Sequence, residues 1–132
     1  MNLKIRRGQV GDAAIIADFN ARMAWETEHK RLDPEVVCQG VSRVFGDPAK
    51  GFYLVAESVG EIVGQLMITF EWSDWRDGWF WWIQSVYVRE DHRRSGVFRG
   101  LYETAIQRAK SEKNVVGLRL YVERDNTRAQ RT

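Results

Sequence analysis

Cysteine, proline and long apolar runs are all scarce in this sequence. Its 132 residues include one cysteine, Cys38, and two prolines. A lone cysteine cannot close an internal disulfide, so a reducing cytoplasm is the expected compartment. With one cysteine and two isolated histidines, His29 and His92, no metal-ligand spacing exists. No apolar stretch approaches the roughly 20 residues that cross a bilayer. The opening Met1-Asn2-Leu3-Lys4-Ile5-Arg6 has no signal-peptide apolar run. The formal charge of +2 is too small to imply nucleic acid by itself. There is no repeat, low-complexity tract or Pro/Gly/Ser linker, so the chain reads as a single domain. What is present is ordinary for a globular protein: 44% hydrophobic and 29% charged residues, which excludes a disordered chain.

Residues 2–7 read as a strand. Asp12 can cap a helix whose apolar face holds Ile15, Ile16, Phe19 and Met23. A second helix is better marked: Asp33 as cap, Pro34 and Glu35 in the first turn, Val37, Val41 and Val44 as its stripe, and Gly46 at its end. Phe52 to Glu57 is a strand, Val59-Gly60 a short turn, and Ile62 to Trp72 a second strand. The segment from Ser73 to Gly78 is a loop, and Trp79 to Val88 is strongly β-prone. From Gly96 to Lys113 the period becomes helical, with Phe98, Leu101, Ala105, Ile106 and Ala109 on one side. Val115 to Glu123 is a last strand, and Asp125/Asn126 begins a further helix that stops at Thr132. The order is β-α-α-β-β-β-α-β-(α). It predicts a mixed α/β sheet in which the strands of Val86 and Leu118 run parallel.

The informative stretch runs from Val86 to Phe98: a strand, a polar loop and a helix N-terminus. That terminus offers unpaired backbone N–H groups and partial positive charge, which bind anions. Gly96 permits close approach of a ligand to the backbone. Arg93 and Arg94 oppose the helix dipole unless an anion sits among them, and a phosphate would resolve that conflict. The alternative is a solvated basic turn. The spacing fits neither a P-loop nor a G-x-G-x-x-G fingerprint.

This segment resembles the GNAT family of acetyl-CoA-dependent N-acetyltransferases. The family joins a strand ending in small apolar residues, through a short connection, to Arg/Gln-x-x-Gly-x-Gly/Ala opening a helix. Here the match is Val86 and Val88, then Arg93-Arg94-Ser95-Gly96-Val97-Phe98. Phe98 replaces the second small residue, and Glu90 replaces a frequent proline. The order of elements matches along the whole chain. The resemblance implies a GNAT-like fold and an acetyl-CoA site. Backbone N–H groups of Arg94 to Phe98 would hold the pyrophosphate. Val86, Tyr87 and Val88 would pair with the pantetheine arm, and Asn126 would lie near the cofactor. Transfer would be direct: an amine attacks the acetyl carbonyl, and a backbone N–H near Val86 to Val88 stabilises the oxyanion. The tyrosine acid of many relatives would fall just beyond Thr132, so the chain is expected to be truncated there, partly resolved, or completed by a neighbour's segment. The missing final strand pair would leave the Val115–Glu123 strand as an open edge, prone to pairing with another chain, such as a second copy.

The remaining proton carriers are weak candidates. Some relatives carry a glutamate near the position of Gln84, but an amide is no base. Glu26 and Glu28 are candidates for binding a cationic acceptor or relaying a proton, or else form a solvated charged turn. Trp72, Trp75, Trp79, Trp81 and Trp82 cluster on one hairpin, with Trp25 elsewhere; each is either core or part of an aromatic wall. Trp72 and Trp75, flanking the loop of Asp74, are the pocket candidates. Trp25, Glu28, Trp72, Asp74 and Trp75 thus form the expected acceptor set. The leading expectation is acetyl transfer to a primary amine of a small molecule. An acyl-CoA-binding module without turnover is the second. A nucleic-acid-binding module using Arg93, Arg94, Arg119, Arg124, Arg128 and Arg131 is the third, weakened by the near balance of charge.

Overall fold

A computed structural model describes residues 2–120. Its elements are β1 (Leu3–Arg7), α1 (Ala13–Glu28), α2 (Pro34–Gly46), β2 (Phe52–Ser58), β3 (Glu61–Ser73), β4 (Gly78–Val88), α3 (Val97–Ser111) and β5 (Val115–Leu120), with single 3-10 turns before α1, after α2 and after β4. The chain folds in the order that the sequence predicts, with boundaries shifted by one or two residues. The continuation of β5 to Glu123 and the helix from Asp125 lie outside the described residues.

The five strands form one sheet in the order β1-β2-β3-β4-β5. The first three pairings are antiparallel, and β4 pairs with β5 in parallel across α3. Side chains on successive strand residues face opposite sides, and the two sides carry different helices. Leu54, Leu66, Ile68, Trp81 and Ile83 pack with Val97, Leu101, Ala105 and Ala109 of α3. Tyr53, Val55 and Met67 pack with Ile16 and Ala17 of α1 and Val41 and Val44 of α2. The sheet is therefore sandwiched between α3 and the α1–α2 pair.

Local chemistry explains the helices. The Asp33 carboxylate accepts from the Glu35 N–H at 2.9 Å, with Pro34 at the first position of α2. Asp12 differs from its expected role. It precedes α1 but caps nothing there; it accepts from the Gln9 N–H and, bidentately, from Arg6 of β1. The stronger guanidinium partner takes the carboxylate. On α3, Val97 rather than Phe98 is the first buried residue; Phe98 stacks on Tyr102 at 5.8 Å.

The tryptophans divide between the two readings. Trp81 is 6% exposed, whereas Trp75 is 91% exposed, and Trp25, Trp72 and Trp79 are open as well. The long β3–β4 hairpin projects past the helices, so its distal aromatics have no helix to cover them.

Candidate active site

The site begins with an irregularity in β4. Pairing with β3 runs regularly from Ser73↔Gly78 to Met67↔Gln84 and resumes at Gln65↔Tyr87. β4 therefore has one extra residue between Gln84 and Tyr87, a β-bulge, and Ser85 adopts φ +55°. Such bulges recur beside active sites because they re-aim backbone and side chains. Upstream of the bulge, Trp81 and Ile83 face α3; downstream, Val86 and Val88 do. Tyr87 is thereby turned toward α1, where its ring lies 5.0 Å from Phe19. Gln65, fully buried, donates through Nε2 to the Ser85 carbonyl at 3.1 Å and to Asn20 Oδ1 of α1 at 2.9 Å. This holds the bulge against α1. The described pairing of β4 with β5 ends at Ile83↔Leu120, immediately before the bulge.

After β4 the chain turns through Glu90–His92 and reaches α3 with two residues in the left-handed region, Arg94 at φ +64° and Gly96 at φ +88°. Alternating conformations of this kind point successive N–H groups into one concavity, and the first turn of α3 adds unpaired N–H donors. Apart from its chain neighbours, no atom of the described residues lies within 4 Å of where a Gly96 Cβ would stand, so among them the turn is open on that side. Its outer flank is held by charge. Arg89 bonds Asp91 at 2.7 Å and reaches Glu61 at 3.4 Å, and Asp91 also pairs with His92. The Arg89 guanidinium, then His92, hold the Asp91 carboxyl well below the usual range. Ser95 Oγ donates to the His92 carbonyl.

Arg93 requires a correction. It does not wait for an anion. Its Nε donates to the Val88 carbonyl at 2.8 Å, its Nη2 to Glu26 Oε1 at 2.6 Å, and its guanidinium lies 5.3 Å from the Tyr87 ring centroid. Tyr87 donates its hydroxyl proton to Glu26 Oε2 at 2.6 Å. The countercharge comes from α1, 67 residues away in sequence, a contact that local spacing does not reveal. Arg94 remains exposed. Glu26 is thus a fully engaged carboxylate that ties the end of α1 to β4 and the turn. Burial works against its charge, but the bonds from Tyr87 and Arg93 outweigh burial and lower its pKa from the ordinary 4.5. A depressed folded-state pKa means stability that is present above pH 4.5 and lost as pH falls through the lower folded value. Urea unfolding of Glu26→Gln should therefore show a shallower loss of stability than wild type below about pH 4.5. Parallel acid curves for the two proteins would refute the charged pairing.

The expected acceptor residues divide into two groups. Trp25 and Glu28 sit at the end of α1, beside the Glu26 contact; Trp25 packs edge-on to His29 at 5.3 Å and under Arg31 at 4.9 Å. Trp72, Asp74 and Trp75 lie at the β3–β4 turn. Gly78 and Val86 are eight strand steps apart, roughly 26 Å at about 3.3 Å per residue. The two groups therefore do not form one wall. Between them, on the α1–α2 side of β4, lies Gln84, whose Nε2 donates to Thr69 Oγ1 at 2.7 Å. Asn126 lies outside the described residues. Among those described, no helix is long and apolar enough to cross a membrane.

The sheet order and bulged strand–turn–helix find a family match. The family model described as "Acetyltransferase (GNAT) family" matches residues 14–132. The chain belongs to the GNAT acetyltransferase family. No curated protein matches it. Among solved structures, a possible acetyltransferase from Clostridium difficile 630 is 43% identical, with a TM-score of 0.90 over 98% of this chain and 85% of that one. A ribosomal-protein-alanine N-acetyltransferase from Brucella melitensis biovar Abortus 2308 is 19% identical, with a TM-score of 0.79 over 98% and 86%. A predicted acetyltransferase with acetyl-CoA from Clostridium acetobutylicum is 15% identical, with a TM-score of 0.75 over 92% and 82%. The last two share the fold alone. Within this GNAT chain the motif helix is α3 and the motif strand is β4. Gln65, Asn20 and Ser85, which hold the bulge, were missed by sequence reasoning. A phase break was the available signal: apolar alternation at Trp81 and Ile83 resumes at Val86 and Val88, one residue out of step.

Proposed function

We propose that this GNAT acetyltransferase moves an acetyl group from acetyl-CoA to the primary amine of a small molecule, in the cytoplasm. One observation carries the reading: the β4 bulge at Ser85 and the open left-handed turn at Arg94 to Gly96 are built into a single strand–turn–helix unit. The turn fits a pyrophosphate because it presents backbone donors with no Cβ in the way. When bound, acetyl-CoA supplies an acetyl group activated as a thioester. The N–H groups of Arg94, Ser95, Gly96, Val97 and Phe98 bind phosphate oxygens. The backbone of Val86, Tyr87 and Val88 pairs with the extended arm, and an N–H of this segment stabilises charge developing on the acetyl oxygen. Glu26 acts as a positioning group rather than a base, since both its oxygens accept short bonds and its lowered pKa makes it a poor proton acceptor. Arg93 shapes the turn through Val88 and Glu26.

Calorimetry with acetyl-CoA and desulfo-CoA, followed by thiol release across a panel of amines, tests this. Binding of both with amine-dependent thiol release is the expected result. Binding without release would favour a cofactor-binding module without turnover, and absence of binding by the folded protein would remove both readings.

A further inference from the structure

Gln65 of β3 is fully buried and pairs with Tyr87 at the edge of the β4 bulge. Its Nε2 donates to the Ser85 carbonyl at 3.1 Å and to Asn20 Oδ1 at 2.9 Å. Its Oε1 is buried as well and has no hydrogen-bond partner among the described residues. A buried acceptor without a donor costs stability. An apolar side chain of similar volume would fill the same space without that cost. Packing therefore does not account for a glutamine at this position, whereas the donor that it supplies to Ser85 does.

That donor fixes a peptide plane. The described peptide bonds are trans, so the C=O and N–H of one unit point in opposite directions. The Ser85 carbonyl points to Gln65, on the β3 and α1 side. The N–H of the same unit belongs to Val86 and points away from β3. The ladder gives the same direction independently. Arg89 N–H donates to the Val63 carbonyl of β3 at 2.8 Å. Hydrogen-bonding direction alternates along a strand, and Tyr87 precedes Arg89 by two residues. The backbone groups of Tyr87 therefore face β3, and those of Val86 and Val88 face the other way. The Val88 carbonyl agrees, since it accepts from Arg93 Nε at 2.8 Å. Val86 N–H thus faces the side of β4 on which β5 pairs as far as Ile83↔Leu120 among the described residues. Ser85 holds φ +55° against the preference of a serine, with the bond from Gln65 to keep it there.

We propose that Gln65 is a positioning residue for acetyl transfer: its Nε2, braced by Asn20, sets the Ser85–Val86 peptide so that the Val86 N–H meets the acetyl oxygen of the thioester. This rests on the acetyl-transfer reading, which puts an N–H of Val86 to Val88 at that oxygen. It excludes Tyr87, whose N–H faces β3, and assigns the donor to Val86 at the bulge. Gln65 acts through the backbone and not on the reacting atoms. A donor set in place beforehand costs no reorganisation when charge develops on the oxygen. Without the Gln65 bond, a left-handed serine relaxes toward the extended region, and the N–H turns with it.

Infrared spectroscopy of acetyl-CoA, isotope-labelled at the acetyl carbonyl carbon and bound to the full chain, reads this hydrogen bond at the carbonyl stretch and needs no acceptor. In Gln65→Leu the band should rise in frequency and broaden relative to wild type, because the N–H loses its fixed direction. Calorimetric affinity for acetyl-CoA should stay at the wild-type value. With an amine that wild type acetylates, kcat should fall roughly 10–100-fold at constant KM for acetyl-CoA, less than for outright loss of an oxyanion donor. In Gln65→Glu, a protonated carboxyl still donates to Ser85 and a carboxylate does not. Its band should approach wild type at low pH and the Gln65→Leu position at high pH, a dependence that space-filling alone does not produce. Asn20→Ala, at the partly exposed end of the network, should shift the band the same way by less. A wild-type band in folded Gln65→Leu, or in Asn20→Ala where the first variant does not fold, would overturn the proposal and leave acetyl transfer standing. So would a loss of acetyl-CoA affinity as large as the loss of kcat. Failure of the wild-type chain to bind acetyl-CoA would overturn the acetyl-transfer reading and this proposal together.

Discussion

Gly96→Val is expected to abolish acetyl-CoA binding, weakening it at least 100-fold, about 2.7 kcal/mol. Gly96 sits at φ +88°, a conformation that a β-branched residue reaches only with strain. Apart from its chain neighbours, no atom of the described residues lies within 4 Å of its missing Cβ, so the new side chain would not be expelled by a clash with them. It would stand on the open side of the turn, where the proposed function brings the phosphate to the backbone donors. The backbone strain adds about 1–3 kcal/mol of lost stability, so thermal denaturation should be followed alongside calorimetry. Gly96→Ala separates the two effects: it carries most of the backbone strain but less bulk, and should bind with intermediate affinity. Unchanged affinity in a folded Gly96→Val protein would disprove the assignment of this turn to the cofactor.

The second large effect concerns folding. Gly51→Ala should destabilise the protein by roughly 2–6 kcal/mol, combining a Gly-only backbone conformation with forced overpacking. Gly51 is buried at φ +135° and ψ −166°, just before β2. A Cβ there would overlap the carbonyl oxygen of Ile68 and lie 3.3 Å from the Thr69 side chain. The obstacle is mainly backbone of a central strand, and it cannot rotate away. Because Phe52 pairs with Ile68, relief would require opening the β2–β3 ladder. A domain of this size has about 5–15 kcal/mol of stability in total, so urea unfolding should show a midpoint far below wild type. An unchanged midpoint would contradict the close approach of Gly51 to β3.

The legible parts of this fold are those written in short-range signals. α2 could be read from Asp33, Pro34 and its valine stripe because capping and amphipathicity act within a few residues. The β3–β4 hairpin followed from β-branched and aromatic runs bounded by a polar turn, and β4–β5 parallelism followed from the intervening helix. Tryptophan burial stayed open in the sequence because it depends on which helix covers which part of the sheet. Trp81 lies beneath α3 while Trp79, two residues earlier, is open.

The candidate site divides in the same way. Its backbone half, the left-handed turn at Gly96 and the N-terminus of α3, was visible in the sequence because a glycine before a helical period is a local signal. Its side-chain half was not. That Arg93 is neutralised by Glu26 and that Gln65 holds the Ser85 bulge are facts of chain segments far apart in sequence. The sequence alone determined the elements, their order and the glycine turn that opens α3, because hydrophobic period and backbone conformation are set by neighbouring residues. Only the tertiary structure decided which charges pair with which, because charges act through space and the sheet brings together residues that the chain keeps apart.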